Sequence, residues 1–415
     1  MKKWGTLLAC SAVMLAGCGG GVASQSAADA GEGVEFGASI EEYQEALSDM
    51  EPVELTYQGG GSPTGYSADR EREFAERITE WSGGKITFDL QWGQAIASYD
   101  QVTEAVAAGM IDIALEVPLN SPEKYPAINA LVDLSPAQPT SPYLSEIISA
   151  AALQQVAFET PEVVDETASM GVTPLVPVEF EFTDALMCST SVTSADDFDG
   201  RQIRVGAQKS YELMQAAGAA PVSMPYTETY EALQRNVADC TLNGMKVGIN
   251  GGFLEVAPEI TFPSDVSWGR DGTILVAGGK YDDLPLAGKQ LIFDSLAYYF
   301  EGQLNAGLNY AADGVAAAEA QSGGFNELET DVEDKIREQV EVIRAEVGES
   351  RAVDGKKMAD DVDSALAHWT DVAEELGYED VGDWEDLKSV EDNPIDFQPF
   401  AERVFEEIYL PHRPR

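Results

Sequence analysis

The chain has 415 residues, of which 73 are acidic and 25 basic, so its net charge is −48. A surface this acidic repels nucleic acids and anionic lipids, which excludes nucleic acid as a partner and lipid surfaces as a docking site. Because 44% of the residues are hydrophobic, the chain is not an acidic disordered protein.

The N-terminus has the pattern of an exported lipoprotein. Two lysines precede an apolar run from Leu7 to Ala16, and small residues lead into Cys18. The run is shorter than the ~20 apolar residues that a spanning helix needs. We predict a signal peptide over residues 1–17, then a lipidated Cys18 and a flexible tether over residues 18–50. A secretory signal with an incidental cysteine is the alternative. The anchored chain would lie outside the cytoplasmic membrane or in the periplasm.

The next part of the chain alternates strands with helices, which predicts a first α/β lobe over residues 51–175. The predicted strands are 53–57, 86–91 and 111–117, and the predicted helices are 67–81 and 101–108. An extended segment from Pro174 to Glu181 is expected to cross to a second lobe over residues 176–277.

The second lobe contains a β-α-β-α-β pattern, which favours a parallel sheet. Two strand-like runs, Gln202–Val205 and Ala220–Ser223, flank a helical segment, and a further helix is predicted over 227–235. Arg204 lies in the middle of an apolar strand, where a guanidinium is costly to bury unless an anion meets it. The alternative is an interior ion pair with one of the many acids.

Beyond a returning strand at Thr273–Ala277, the chain reads as helical over residues 278–415. The predicted helices are 286–320, 328–347 and 358–376, and residues from about Asp380 onward have no assignment.

Two cysteines, Cys188 and Cys240, remain after the N-terminal pair, and an oxidising compartment would allow them to form a disulfide; two buried thiols are the alternative.

Four blocks of this sequence resemble the solute-binding proteins of TRAP (tripartite ATP-independent periplasmic) transporters. The blocks are D-x-x-G-x-x-I-R-V around Arg204, G-A-x-P-V at 218–222, T-E-x-Y-E-A-L-Q at 227–234 and A-D-C-T-L-N at 238–243. The resemblance implies an α/β, two-lobed fold of the periplasmic-binding-protein type, with a hinge, a long bracing helix and a helical C-terminal region. It also implies a receptor that passes a small organic acid to a sodium-driven permease in the membrane.

The resemblance assigns Arg204 to the ligand carboxylate, with which a planar guanidinium forms two parallel hydrogen bonds. It further implies a polar contact from Gln58, an aromatic wall from Tyr226 and a hydrogen-bonding amide from Asn243. Other candidates near the expected cleft loops, each of which could equally be core, are Trp92, Tyr99, Phe182, Trp268 and Arg270.

Asp184 departs from the pattern of the acidic-sugar binders in the family, which carry a second arginine at or near this position. An acid near Arg204 would offset its field, so a monocarboxylate or a zwitterion is favoured over a dicarboxylate. Arg270 could supply the missing cation from another loop.

Two other functions stay open at this point. The receptor of an ATP-driven (ABC) importer could share the fold and the tether, and a secreted α/β hydrolase would show turnover. The chain has only two histidines, His368 and His412, which are too few for most histidine-based metal sites and leave few candidates for a Ser-His-Asp triad. We therefore expect no enzyme, no metal and no cofactor.

Overall fold

A computed structural model describes residues 32–415, so the predicted signal peptide and lipidated Cys18 lie outside the described residues. The strands are β1 (Val53–Gln58), β2 (Ile86–Gln91), β3 (Ile113–Glu116), β4 (Thr173–Phe180), β5 (Asp184–Cys188), β6 (Gln202–Val205), β7 (Ala220–Ser223), β8 (Cys240–Gly244), β9 (Glu259–Phe262), β10 (Gly272–Ala277) and β11 (Phe325–Glu327). The α-helices are α1 (Ile40–Ala46), α2 (Tyr66–Trp81), α3 (Val102–Ala107), α4 (Pro126–Val132), α5 (Leu144–Glu159), α6 (Pro161–Ala168), α7 (Ala195–Phe198), α8 (Gln208–Ala217), α9 (Thr229–Gln234), α10 (Met245–Asn250), α11 (Gly279–Asp282), α12 (Leu286–Asp294), α13 (Leu296–Ala320), α14 (Thr330–Val347), α15 (Gly355–Leu376) and α16 (Gln398–Val404). Short 3-10 helices lie at Pro118–Asn120, Ser135–Ala137, Tyr226–Glu228, Phe253–Glu255, Trp384–Val390 and Leu410–His412, and a π-helical turn at Phe405–Tyr409.

The first lobe is built on a five-stranded sheet in the order β2-β1-β3-β10-β4. Strands β1, β2 and β3 run parallel, whereas β10 pairs antiparallel with β3 and β4. The parallel part is connected by α2 and α3, as the alternating pattern predicted. The carboxyl ends of β1 and β3 therefore point to one edge of the sheet, which is where ligands bind in open α/β folds.

The second lobe is built on a six-stranded sheet in the order β11-β9-β5-β8-β6-β7. Strand β6 runs parallel to β7 and β8, which is the arrangement that the β-α-β-α-β pattern indicated. Strand β5 pairs antiparallel with β8, and a disulfide joins Cys188 to Cys240 where these two strands face each other.

The long helix α13 braces both lobes. Most of its apolar side chains belong to the core of the first lobe, while Ala318 near its end packs into the core of the second. Its glycines receive side chains from other elements: Gly302 lies against Arg70 of α2, and Gly314 lies against Met245 of α10. The helix therefore contacts an element of each lobe at close range.

Two sequence-based expectations for the course of the chain differ from the structure. The extended segment Pro174–Glu181 was expected to cross between lobes, but β4 pairs with β10 in the first sheet, and the crossing follows at residues 181–183. The pairing of β4 with β10 is irregular near Pro177, because proline has no N–H to donate. Prolines in a strand are more typical of a connecting segment, which is why the sequence predicted one here. The single helix expected over 286–320 is interrupted at Ser295.

The tether predicted to extend to residue 50 ends earlier, because α1 forms a helix against the first lobe. Ser39 and Glu42 make reciprocal capping bonds at its N-terminus. Tyr43 is buried, and its hydroxyl donates a hydrogen bond of 2.6 Å to Asp294. Between residues 32 and 415, the structure contains no helix with the length and apolar character needed to cross a membrane.

Candidate ligand-binding cleft

A cleft lies between the lobes, at the carboxyl ends of the parallel strands. It contains a cavity of about 240 Å³, lined in part by the loop after β1 and by α10, and a cavity of about 460 Å³, lined in part by the start of α8. Asp184 and Asp271 line both cavities. These two carboxylates therefore stand at the boundary between the two halves of the cleft.

Arg204 lies on β6, between β8 and the edge strand β7 of the second sheet, and is 6% exposed. Its Nε and Nη2 donate hydrogen bonds of 3.2 and 3.1 Å to the carbonyl oxygen of Met224, and Nη1 donates one of 3.1 Å to Oδ1 of Asn243. A guanidinium has five N–H groups, so two remain without an acceptor within the described residues. Nη1 and Nη2 lie beside Gly206, a residue that lines the larger cavity.

Two acids share this environment without pairing with Arg204. Neither Asp184 nor Asp271 forms a salt bridge with Arg204 within residues 32–415, and neither carboxylate accepts a hydrogen bond there. Burial and the neighbouring Asp271 raise the pKa of Asp184 well above its usual range, although Arg204 and Arg270 oppose the rise. Burial and Glu181 raise the pKa of Asp271 to about 6, against the effect of Lys246 and Arg204. Burial lowers the pKa of Arg204, while Asp184 and Asp271 counteract that change.

The smaller cavity holds charged groups that the sequence reading missed. Glu71 of α2 accepts a hydrogen bond of 3.3 Å from the N–H of Gly60, and burial raises its pKa. Lys246 of α10 pairs with Glu181 at 3.0 Å. The sequence pattern could have indicated Glu71, because it precedes Phe74 and Ile78 by three and seven residues and so lies with them on the buried face of the amphipathic helix α2. For Lys246 and Asp271 we find no comparable sequence signal.

Five of the ten expected ligand contacts line the two cavities, whereas the other five do not: Arg204, Asn243, Tyr226, Gln58 and Trp92. Arg270, described below, is one of the five that do. Tyr99 and Phe182 line the smaller cavity, Trp268 lines the larger one and Asp184 lines both. Trp268 is also a core residue, since it is 1% exposed and its indole N–H donates to the carbonyl oxygen of Thr261 at 2.9 Å.

Tyr226 lies on a short helix close to Arg204, whose charge lowers the pKa of the phenol against the larger effect of burial. The ring is 44% exposed and contacts Phe253 with 5.7 Å between ring centroids. Tyr226 lines neither cavity, so the aromatic wall that was expected from it stays a prediction.

Gln58 and Trp92 do not line either cavity. The amide of Gln58 is buried and holds the following loop: Oε1 accepts the N–H groups of Ile96 and Ala97 at 2.9 and 3.0 Å, and Nε2 donates to the carbonyl oxygen of Ala97. Trp92 lies under the guanidinium of Arg72, 5.2 Å from the ring centroid. The expected ligand contact from Gln58 is therefore replaced by a role in shaping the loop.

Arg270 lines the larger cavity, but its guanidinium is fully used by the protein. It forms two hydrogen bonds with the carboxylate of Glu146, of 3.2 and 2.9 Å, and three more with two carbonyl oxygens and the hydroxyl of Ser267. All five N–H groups thus have protein acceptors, and the expectation that Arg270 supplies a second cation to the ligand is not supported.

No cluster of three or more potential metal ligands occurs in the described part of the chain.

Replacing Arg270 should destabilise the ligand-free protein. Arg270→Ala leaves Glu146 buried without its partner, so the free energy of unfolding should fall by about 3–5 kcal/mol in urea denaturation. Arg235 forms an exposed pair with Glu231, and Arg235→Ala should cost no more than about 1 kcal/mol. An Arg270→Ala protein as stable as the parent would contradict the structural role.

Comparison with known proteins gives the chain a family. Residues 61–350, more than half of the chain, match the model of "DctP: Bacterial extracellular solute-binding protein, family 7". A solute-binding protein of Sulfitobacter sp. (strain NAS-14.1) is 27% identical over 67% of this chain and 83% of its own length. The ectoine-binding periplasmic protein TeaA of Halomonas elongata is 33% identical over 25% of this chain and 30% of its own.

The fold also has solved counterparts. A TRAP solute-binding protein from Rhodoferax ferrireducens T118, crystallised with copurified benzoate, superposes with a TM-score of 0.66 at 16% identity. The match covers 77% of this chain and 99% of that one, so the two-lobed fold is confirmed and about a quarter of this chain has no counterpart there. The chain belongs to the DctP family of bacterial extracellular solute-binding proteins, which are TRAP-type receptors and not enzymes.

Proposed function

We propose that this chain is the receptor of a TRAP-type uptake system and binds a small organic carboxylate, most favourably a zwitterion, through Arg204. The observation that carries this proposal is the arrangement of opposite charges in the cleft that are not paired with each other. Arg204 keeps two N–H groups for a carboxylate and lies beside Gly206 of the larger cavity, which Asp184 and Asp271 line without accepting a hydrogen bond. A ligand that carries both charges satisfies both groups at once.

The charge balance of the cleft favours a zwitterion over a plain monocarboxylate. Four acids line the smaller cavity, Glu71, Glu181, Asp184 and Asp271, against the cations Arg70 and Lys246. Arg70 is already paired with Glu179 and Lys246 with Glu181. An ammonium group would therefore find carboxylates that lack a partner, whereas a second carboxylate would meet repulsion.

Receptors of this family deliver their ligands to membrane permease subunits. Closure of two lobes around the ligand would exclude water and strengthen the contact with Arg204, because electrostatic interactions grow as the local dielectric falls. The matching solved structures include TRAP solute-binding proteins in complex with 3-hydroxybenzoate and with pyroglutamate, which supports an organic acid and a TRAP permease over an ATP-driven importer.

Arg204 provides the first test, after a thermal-shift screen of small carboxylates and amino-acid-like zwitterions has identified a ligand. Loss of a two-bond, desolvated contact should cost about 2–4 kcal/mol, so Arg204→Ala should bind roughly 30- to 1000-fold more weakly in calorimetry. Arg204→Lys should lose much of the affinity as well. Arg235→Ala serves as the control and should bind like the parent. Binding by Arg204→Ala within about threefold of the parent would contradict the proposal.

The pH dependence of binding distinguishes a zwitterion from a monocarboxylate. Asp271 has a pKa of about 6, so the cleft gains negative charge as the pH rises from 5 to 8. Affinity for a zwitterion should rise over this interval, because its ammonium gains a counter-charge, and affinity for a monocarboxylate should fall. Asp271→Asn should flatten both profiles. Zwitterion affinity that decreases with pH in the parent protein would exclude the assigned role of the acids.

We further propose that the mature receptor is held at the outer face of the cytoplasmic membrane by a lipid on Cys18. The support is the sequence alone: a basic start, a short apolar run and small residues before the cysteine. Mass spectrometry of the mature N-terminus should find a lipid-modified Cys18, and Cys18→Ser should release the protein or block its processing. An unmodified thiol at Cys18 in the membrane-free fraction would contradict the anchor.

A further inference from the structure

The segment after α15 lies outside the residues that the family model matches. That match ends at residue 350, whereas the chain continues through α15 and a further stretch of irregular structure to Arg415. The stretch of interest, residues 378–397, contains the 3-10 helix Trp384–Val390. Its two ends contact Tyr143 of the first lobe, whereas Trp384 in its middle contacts Phe262 of the second lobe.

Both ends of residues 378–397 are held on the first lobe, at the start of α5. Oδ1 of Asp380 accepts the N–H groups of Tyr143 and Leu144 at 3.1 and 3.0 Å, and the hydroxyl of Tyr143 donates to the carbonyl oxygen of Glu379 at 2.6 Å. At the other end, the ring of Phe397 lies 6.0 Å from that of Tyr143. The segment thus leaves and rejoins the first lobe at one place.

In the middle of the same segment, Trp384 packs against the cores of both lobes, whereas Leu387 and Val390 are buried in the core of the first lobe. The indole of Trp384 stacks on Phe262 of β9, with 3.9 Å between ring centroids and 7° between planes. It also stacks on Phe325 of β11, with 5.6 Å and 9°. Lys388 pairs with Glu319 near the end of the bracing helix α13. The aromatic stack is therefore a contact between a segment fixed to one lobe and the outer strands of the other.

We propose that residues 378–397 form a cross-lobe clasp that limits how far the two lobes separate in the ligand-free receptor. A wider opening of the cleft has to pull Trp384 off Phe262 and Phe325 and expose three aromatic faces to water, which is unfavourable. Because both ends of the clasp are fixed at Tyr143, it cannot simply follow the second lobe. The clasp adds a restraint to the hinge without contributing a side chain to either cavity.

Distances between the lobes in the ligand-free protein test this proposal. Spin labels attached through non-natural amino acids at the exposed positions Glu76 of α2 and Gln234 of α9 report lobe separation by pulsed electron paramagnetic resonance. Trp384→Ala should lengthen or broaden the distance distribution by more than ~2 Å, the scale of a domain rearrangement. Trp384→Leu keeps an apolar side chain and should give a smaller change in the same direction, and it decides the test if Trp384→Ala does not fold.

Phe36→Ala is the matched control. Phe36 stacks on Phe405 with 5.4 Å between centroids, and Phe405 belongs to the core of the first lobe, so this stack does not join the two lobes. This variant should leave the distance distribution unchanged. A Trp384→Ala distribution that coincides with the parent, or one that Phe36→Ala reproduces, would overturn the clasp, since the stack would then have no specific effect on lobe separation.

Discussion

The arrangement of the cleft depends on one constraint, which is that a buried guanidinium must find negative charge. Arg70 and Arg270 meet this constraint directly, through Glu179 and Glu146. Arg204 meets it only in part, because its protein acceptors are an amide and a carbonyl oxygen and the nearby acids do not touch it. A charge left in that condition costs stability in the empty protein and gains a partner when a carboxylate binds. The incomplete pairing of Arg204 is therefore the reason for proposing it, rather than Arg70 or Arg270, as the residue that binds the ligand.

The rest of the fold keeps this charge at an interface that can open. Strand β6 holds Arg204 between β7 and β8 in the second sheet, and the antiparallel pair β5 and β8, joined by the disulfide, supports it on the side of Asn243. The glycines of α13 bring the bracing helix close to α2 and α10, so both lobes are fixed to one rigid element. Residues 378–397, further along the chain, add a second connection between the lobes through Trp384. If the proposed clasp limits lobe separation, it also lowers the ordering cost of ligand binding.

Much of the fold could be predicted from the sequence, because its lobes follow regular patterns. The strands Ile86–Gln91, Gln202–Val205 and Ala220–Ser223 begin and end where the apolar runs indicated. Helix α5 was missed because it is buried on nearly all sides and so lacks the periodicity that marks a surface helix. Strand β4 was misread as a connection because prolines interrupt its pattern. The segment after residue 376 gave no assignment because its order comes from single aromatic contacts, such as Trp384 on Phe262, rather than from a repeating pattern.

For the site, the sequence predicted the individual side chains better than their partners. The motifs place Arg204 and Asn243 on neighbouring strands, and the structure joins these two side chains by a hydrogen bond, while their contact with a ligand stays a prediction. The partners of Arg270 and Gln58 could not be predicted, since Glu146 and the Ile96–Ala97 loop come from distant parts of the chain. Only the folded structure shows whether all five N–H groups of an arginine have hydrogen-bond acceptors in the protein.

A crystal structure of the complex with the best ligand from a carboxylate and zwitterion panel tests the central claim most directly. The account predicts a ligand carboxylate oxygen about 2.7–2.9 Å from an Nη atom of Arg204 and a ligand cation within hydrogen-bond distance of Asp184 or Asp271. A carboxylate bound elsewhere in the cleft, with Arg204 still bonded only to Met224 and Asn243, would contradict it.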